Sequence, residues 1–271
     1  MVFLPVFSVL ILTLNEERNL LPCLASIKGS DDIVVLDSGS TDRTVAMAEH
    51  AGARVYQHRF ESFAAQRNHA QRTLAFRHPW VFHLDADEQL TPELERACRA
   101  AAARRDLDGY YTAPKMLWHG RWIPRCTDFP AWQARFVRAP QFEFVEVGHG
   151  QREAPAMRMA YLDAHYLHDL SADGETAWLE KHRRYARIEA RHHQAVQGTI
   201  SGSDLFSRNA LHRRRALKHL SYQLPFRPAL RLVYQYLLRG GFLEGAAGWQ
   251  YCRLLARYEH FSQEEMRALR R

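Results

Sequence analysis

FSVLILTL at Phe7–Leu14 and DIVVLD at Asp32–Asp37 are short, apolar and β-branched, with no polar alternation. Runs of this kind suit strands covered on both faces, as in a parallel sheet. Between them Leu20, Leu21, Leu24 and Ile27 recur at helical spacing, which predicts a βαβ unit. A second helix is expected over Asp42–Ala51, capped by the hydroxyls of Ser40 and Thr41 and stopped by Gly52, then a strand at Arg54–His58. A helix around Phe63–Leu74, a strand at Trp80–Leu84 and a helix opened by Thr91 as N-cap and Pro92 continue the alternation. Strands alternating with helices predict an open, doubly wound α/β sheet.

Past Gly109 the pattern changes to strand-like pieces rich in Tyr, Trp and Phe, at Tyr110–Ala113, Ala134–Val137 and Phe142–Val147. A long charged helix is expected over Glu175–Gln197, then a Gly198–Ser203 linker and further helices broken by Pro225, Pro228 and Gly240-Gly241. The expected division is a sheet domain over residues 1–203 and a basic, amphipathic helical region over 204–271. The four cysteines, Cys23, Cys98, Cys126 and Cys252, form no C-x-x-C pair, so reduced thiols are expected rather than zinc or a disulfide framework. The apolar start lacks a basic leader and a small-residue cleavage site, and Arg231 and Arg239 interrupt the most apolar C-terminal stretch. These features predict a cytoplasmic protein that meets a membrane only from the side.

The net charge of +7 is unevenly placed: residues 205–271 hold 13 Arg or Lys against 4 Glu, leaving the remainder slightly acidic. A nucleic-acid arm would account for the charge alone. The same segment also carries Phe226, Leu230, Leu232, Val233, Tyr234, Tyr236, Leu237, Leu238, Phe242 and Leu243, a mixture that suits an anionic lipid surface better. A homo-oligomer interface is the other place for such residues.

Three polar clusters end apolar strands. Asp85-Ala86-Asp87-Glu88 follows WVFHL, Asp37-Ser38-Gly39-Ser40-Thr41-Asp42 follows the second strand, and Thr13-Leu14-Asn15-Glu16-Glu17 ends the first. Open α/β sheets bind ligands outside the carboxyl ends of their strands, so all three are candidates for one crevice. Closely spaced carboxylates suit a hard divalent cation, Mg²⁺ or Mn²⁺, that keeps places for phosphate oxygens. Gly39 permits a tight turn, and hydroxyls with a helix N-terminus offer donors to a nucleotide.

The order T-L-N-E-E, D-S-G-S-T-D, Q-R-N-H-A (Gln66–Ala70) and L-D-A-D-E resembles the family 2 inverting glycosyltransferases, which have the GT-A fold. Within that family the likeness is to the lipopolysaccharide-core β-glucosyltransferase branch, through His168, Trp178, Lys181, Tyr185, Glu189 and Ala190 and the G-F-L-E-G run at Gly241–Gly245. The resemblance implies that Thr13, Asn15, Glu16, Asp37 and Ser38 hold the nucleoside end and that Arg67 and Asn68 lie near the base or diphosphate. It implies Asp85 at the ribose or metal, Asp87 as metal ligand and His168 as a further metal or phosphate ligand. The donor would be a nucleotide-diphosphate sugar, UDP-sugar favoured, and the acceptor a glycan or glycolipid.

An inverting displacement needs a base to take the acceptor hydroxyl's proton. Members resembling this chain carry a His-Glu pair there, whereas this sequence has His149-Gly150-Gln151, with glycine where the carboxylate is expected. His149, Glu153, Glu146 and Asp128 remain as candidates. A sugar nucleotidyltransferase would show a G-x-G-T-R loop where Asn15-Glu16-Glu17 stands, and a non-catalytic nucleotide-binding or membrane scaffold is the reading the missing carboxylate leaves open.

Overall fold

The structure is a computed structural model that describes residues 7–147, 150–195, 206–207, 213, 224 and 226–269. The chain divides into two compact units, Met1–Pro124 with Asp128–Ala172, and Arg125–Thr127 with Asp173–Arg271. This division by contact falls ahead of the step in charge near residue 204, because the long charged helix clusters with the C-terminal helices.

The first unit opens with β1 (Ser8–Thr13), α1 (Leu20–Ser26), β2 (Ile33–Asp37), α2 (Thr44–His50), β3 (Arg54–Gln57), α3 (Phe63–Thr73) and β4 (Trp80–Asp85). It continues with β5 (Glu88–Gln89), α4 (Pro92–Ala101), β6 (Gly109–Trp118), β7 (Arg121–Trp122), β8 (Gln133–Arg138), β9 (Phe144–Val147), β10 (Gly150–Glu153) and β11 (Met159–Asp169). Among the described residues the main sheet runs β3-β2-β1-β4-β8-β6-β11-β5, with β7 paired to β6 and β9-β10 a separate hairpin. The β3-β2-β1-β4 half is parallel, as the apolar runs predict, while β8 enters antiparallel between β4 and β6. The fold is thus the expected α/β one with a helical C-terminal extension.

Hydrophobic burial on both faces holds the parallel half. Val9, Ile11, Phe82, Leu84, Phe136 and Tyr166 pack with Leu20, Leu24 and Leu94 of the helices on one side. Leu10, Val34, Leu36 and Val81 pack with Ala70 of α3 on the other. In α1, Leu20 and Leu24 are buried but Leu21 is 51% exposed, so it does not join the core stripe. At the opposite edge from the polar clusters, Asp32 ties strands together: it accepts from Ser8 Oγ (2.6 Å), the Arg77 amide (2.8 Å) and Arg54 Nη2 (2.6 Å).

Thr91 caps α4 as expected, accepting from the Leu94 amide at 3.2 Å. The expected cap on α2 is different. Helix α2 starts only at Thr44, where Asp42 Oδ1 accepts from the Thr44 amide (3.0 Å) and hydroxyl (2.5 Å). Ser40 donates its hydroxyl to Asp37 instead, and the Thr41 amide donates to Asn15.

The second unit contains α5 (Gly174–Ala195), α6 (Arg227–Val233), a π-helical turn at Tyr234–Leu238, a 3₁₀ turn at Gly241–Glu244 and α7 (Gly245–Leu269). Trp178 and Ala190 of α5 are buried, and Tyr258 of α7 donates to Glu189 at 2.5 Å. The glutamate of G-F-L-E-G, Glu244, is buried and pairs with Arg125 at 3.3 Å. Gly248 lies so close to the Gly241 carbonyl that any Cβ would collide with it. All four cysteines are free and buried, and Cys126 and Cys252 lie side by side at 3.7 Å.

Candidate active site

The carboxyl ends of β1 and β2 interlock into one loop system. Asp37 is fully buried and accepts four hydrogen bonds, from Thr13 Oγ1 (2.9 Å), Ser40 Oγ (2.5 Å) and the amides of Gly39 (2.9 Å) and Ser40 (2.8 Å). Asn15 adopts a left-handed backbone (φ 57°), a conformation asparagine tolerates better than most residues. From there its amide donates to Ser40 Oγ (2.8 Å) and its side-chain oxygen accepts from the Thr41 amide (2.8 Å). The Glu16 amide donates to Thr44 Oγ1 (2.8 Å) and the Glu17 amide to Asp42 (3.2 Å). Thr13, Asn15, Glu16, Asp37 and Ser38 therefore form one cluster, with Asp37 as its buried organiser.

Helix α3 joins this cluster to the next. Gln66 donates to Ser38 Oγ at 2.8 Å, and Arg67, its neighbour in sequence, donates to Asp85 Oδ1 at 2.6 Å. Arg135 of β8 donates from one nitrogen to Asp85 Oδ2 (3.1 Å) and Glu88 Oε1 (2.8 Å). Glu88 Oε2 closes the ring by accepting from the Asp85 amide at 2.8 Å. His168 Nε2 lies 3.2 Å from Asp87 Oδ2, and its Nδ1 lies 3.8 Å from Glu88. Asp85, Asp87, Glu88 and His168 are thus brought together, with Arg67 and Arg135 supplying positive charge.

Burial raises the Asp85 carboxyl, but the guanidiniums of Arg135 and Arg67 outweigh it and hold the group well below the usual carboxylate range. Glu88 goes the other way: burial, opposed by Arg135 and reinforced by Asp85 and Asp87, pushes it up. His83, one residue before Leu84 in β4, is pushed well down by burial and by the same two arginines. Its ring packs edge-on against Phe144.

Other expected residues stand elsewhere. Asn68 turns away to strand β9, donating to the Phe144 carbonyl (2.8 Å) and accepting from its amide (2.9 Å). Glu153 on β10 faces Tyr111, whose hydroxyl is pushed up by burial and by that carboxylate. Glu146 on β9 and Asp128 in the loop before β8 are exposed, and His149 lies outside the described residues.

Sequence reading missed Arg135, Gln151 and the true place of Glu88. Glu88, read only as part of the acidic cluster after WVFHL, is a buried strand residue opposite His168. A charge inside the apolar run Ala134–Val137 was the available signal for Arg135. Gln151, next to the glycine that replaces the expected carboxylate, accepts from Arg67 Nε at 2.9 Å and donates to the Phe63 carbonyl at 3.1 Å once its amide is oriented for its neighbours.

The model of the family described as "Glycosyl transferase family 2" matches residues 8–163, more than half of the chain and all of the site just described except His168. The chain belongs to this family. It is 35% identical over 104 residues to "Uncharacterized glycosyltransferase RC0292" of Rickettsia conorii, covering 38% of this chain and 36% of that protein. It is 34% identical over 121 residues to "Lipopolysaccharide core biosynthesis glycosyltransferase LpsC" of Rhizobium meliloti, covering 42% of this chain and 44% of that one. The match thus spans less than half the length of either relative. Among solved structures, S. aureus TarS 1-349 in complex with UDP-GlcNAc aligns with 98% of this chain and 92% of its own at 17% identity and a TM-score of 0.46, a loose likeness.

Proposed function

We propose that this protein is an inverting glycosyltransferase that moves a sugar from a nucleotide-diphosphate sugar, UDP-sugar favoured, to a hydroxyl of a lipopolysaccharide-core or other cell-surface glycan or glycolipid. The observation that carries the reading is the joining, at the carboxyl edge of β1, β2 and β4, of a donor-rich loop and a carboxylate–arginine centre through Gln66 and Arg67. Family 2 membership supports the reaction class, and the likeness to LpsC supports the acceptor class.

Among the described residues no group of three His, Cys, Asp or Glu side chains is disposed as a complete metal cage. The donor set still fits a hard cation that takes most of its ligands from phosphate and water. Asp87 and His168, already 3.2 Å apart, would hold it, while both oxygens of Asp85 are engaged by Arg67 and Arg135. Such a cation supplies charge to the departing diphosphate. The protein's own part is positional. Arg67 and Arg135 keep Asp85 ionised, Asp37 fixes the loop that meets the nucleoside, and a base on the acceptor side receives the acceptor proton, with Glu153, Glu146, Asp128 and His149 as candidates.

In this reading the exposed, basic second unit rests on an anionic membrane surface where a glycolipid acceptor lies. No helix among the described residues is long and apolar enough to cross a membrane. Calorimetry with UDP and GDP tests the donor half directly. Binding of UDP that weakens in Asp37→Ala supports it, and unchanged affinity in that variant removes Asp37 from the nucleoside site.

A further inference from the structure

Six rings gather on the first unit. Tyr111 of β6 lies 5.0 Å from Tyr161 of β11, Tyr161 lies 4.9 Å from Trp132, and Trp132 lies 6.1 Å from His165. Phe129 packs edge-on to His165 at 5.1 Å and to Trp122 at 5.2 Å. Three of these rings are not consumed by the core: Trp122 is 38% exposed, Trp132 36% and Tyr161 62%. Tryptophans that only filled a core would be covered, since each carries a large apolar area worth removing from water.

The patch shares strand β11 with the candidate active site. The Glu153 carboxylate raises the Tyr111 hydroxyl, and Trp132 precedes Gln133, which accepts from Arg135 Nε at 3.0 Å and from the Tyr166 hydroxyl at 3.3 Å. His165 stands three residues before His168 on β11. Charged groups are interleaved with the rings: Lys115 lies over Trp122 at 5.0 Å, and Asp128 and Asp163 are exposed beside Phe129 and Tyr161.

We propose that Trp122, Trp132 and Tyr161 form the platform on which a sugar ring of the acceptor stacks. A pyranose offers an apolar C–H face to an aromatic ring and hydroxyls at its rim, and this surface offers rings with Lys, Asp and His between them. A nucleic acid is disfavoured because the chain outside residues 205–271 carries more acidic than basic groups. A lipid tail or a protein partner would favour apolar groups without charges between them. This assignment rests on the transferase reading and adds where its acceptor lies.

The test uses the full chain and, as probe, core oligosaccharide released from a Gram-negative lipopolysaccharide by mild acid, followed by tryptophan fluorescence and by transfer kinetics. Trp132→Ala and Tyr161→Ala each raise the dissociation constant for the oligosaccharide by about tenfold, the scale of one aromatic contact. The acceptor KM rises in parallel, the donor KM is retained, and Trp132→Phe recovers most of the loss. Oligosaccharide binding equal to wild type in both alanine variants overturns the platform. So does a change in vesicle flotation or self-association with sugar binding intact, which would assign the rings to lipid or to a second copy. If wild type consumes no nucleotide sugar, the transferase reading fails, while the fluorescence titration still decides whether the rings bind saccharide.

Discussion

Asp85 and Glu88 carry the same chemical group, four bonds from their backbones or fewer, yet their surroundings drive them in opposite directions. Two arginines face Asp85 and one is shared with Glu88, so the first stays ionised and the second is raised by its burial and by its neighbour's charge. Neither is suited to act as the base for an acceptor hydroxyl, because each is already committed to Arg135. In the proposed transfer the base comes from the acceptor side. Replacing Glu153, Glu146 and Asp128 by their amides and His149 by Gln, one at a time, is expected to leave donor affinity intact in all four. One of them should lose turnover by about 10²- to 10⁴-fold. Loss of donor affinity in step with turnover would instead mark the residue as structural. The sequence showed the carboxylates but not their pairing: Arg135 lies some fifty positions from Asp85, and nothing local in A-R-F-V-R says that β8 inserts antiparallel beside β4.

Among the elements, the parallel strands were legible because burial on both faces leaves an unbroken apolar run, and α4 was legible because Thr91 and Pro92 are a local signal. Thr91→Ala should cost about 1 kcal/mol, and chemical denaturation that shows no change would remove the cap as a contributor. The start of α2 was misread because the hydroxyls of Ser40 and Thr41 fit a cap equally well on paper. Tertiary partners decided otherwise, since Asp37 and Asn15 claim them. At the other edge, Ser8, the Arg77 amide and Arg54 together outweigh the burial of Asp32 and hold its carboxyl below the ordinary range. A depressed pKa stabilises the fold above the unfolded value of about 3.9 and ceases to do so as pH falls through the folded value. Asp32→Asn should therefore lower stability near neutral pH by about 1.5–3 kcal/mol, the range for hydrogen bonds to a charged group. The gap in Tm between variant and wild type should narrow as pH drops below about 4. A gap that stays constant with pH would mean that the carboxylate's charge contributes nothing.

On the scale of the whole molecule, the second unit carries an outward apolar stripe that composition alone could not orient. Leu230, Val233, Tyr234, Leu237 and Leu238 fall at helical spacing and are 44–75% exposed. With basic residues contributing about 1 kcal/mol each near an anionic surface, the protein should float with anionic liposomes at low salt and leave them at high salt. Leu237→Glu with Leu238→Glu should abolish flotation, and flotation unchanged by that pair would place the stripe in an oligomer interface or elsewhere. The central claim concerns the joined loop and carboxylate centre, and turnover of a panel of UDP- and GDP-sugars with Mn²⁺ or Mg²⁺, in wild type and in Asp87→Asn, tests it most directly. The expected result is metal-dependent consumption of at least one donor by wild type, abolished by chelation and by Asp87→Asn with the thermal transition unchanged; full metal-dependent activity in Asp87→Asn, or no consumption of any donor by wild type, would contradict it.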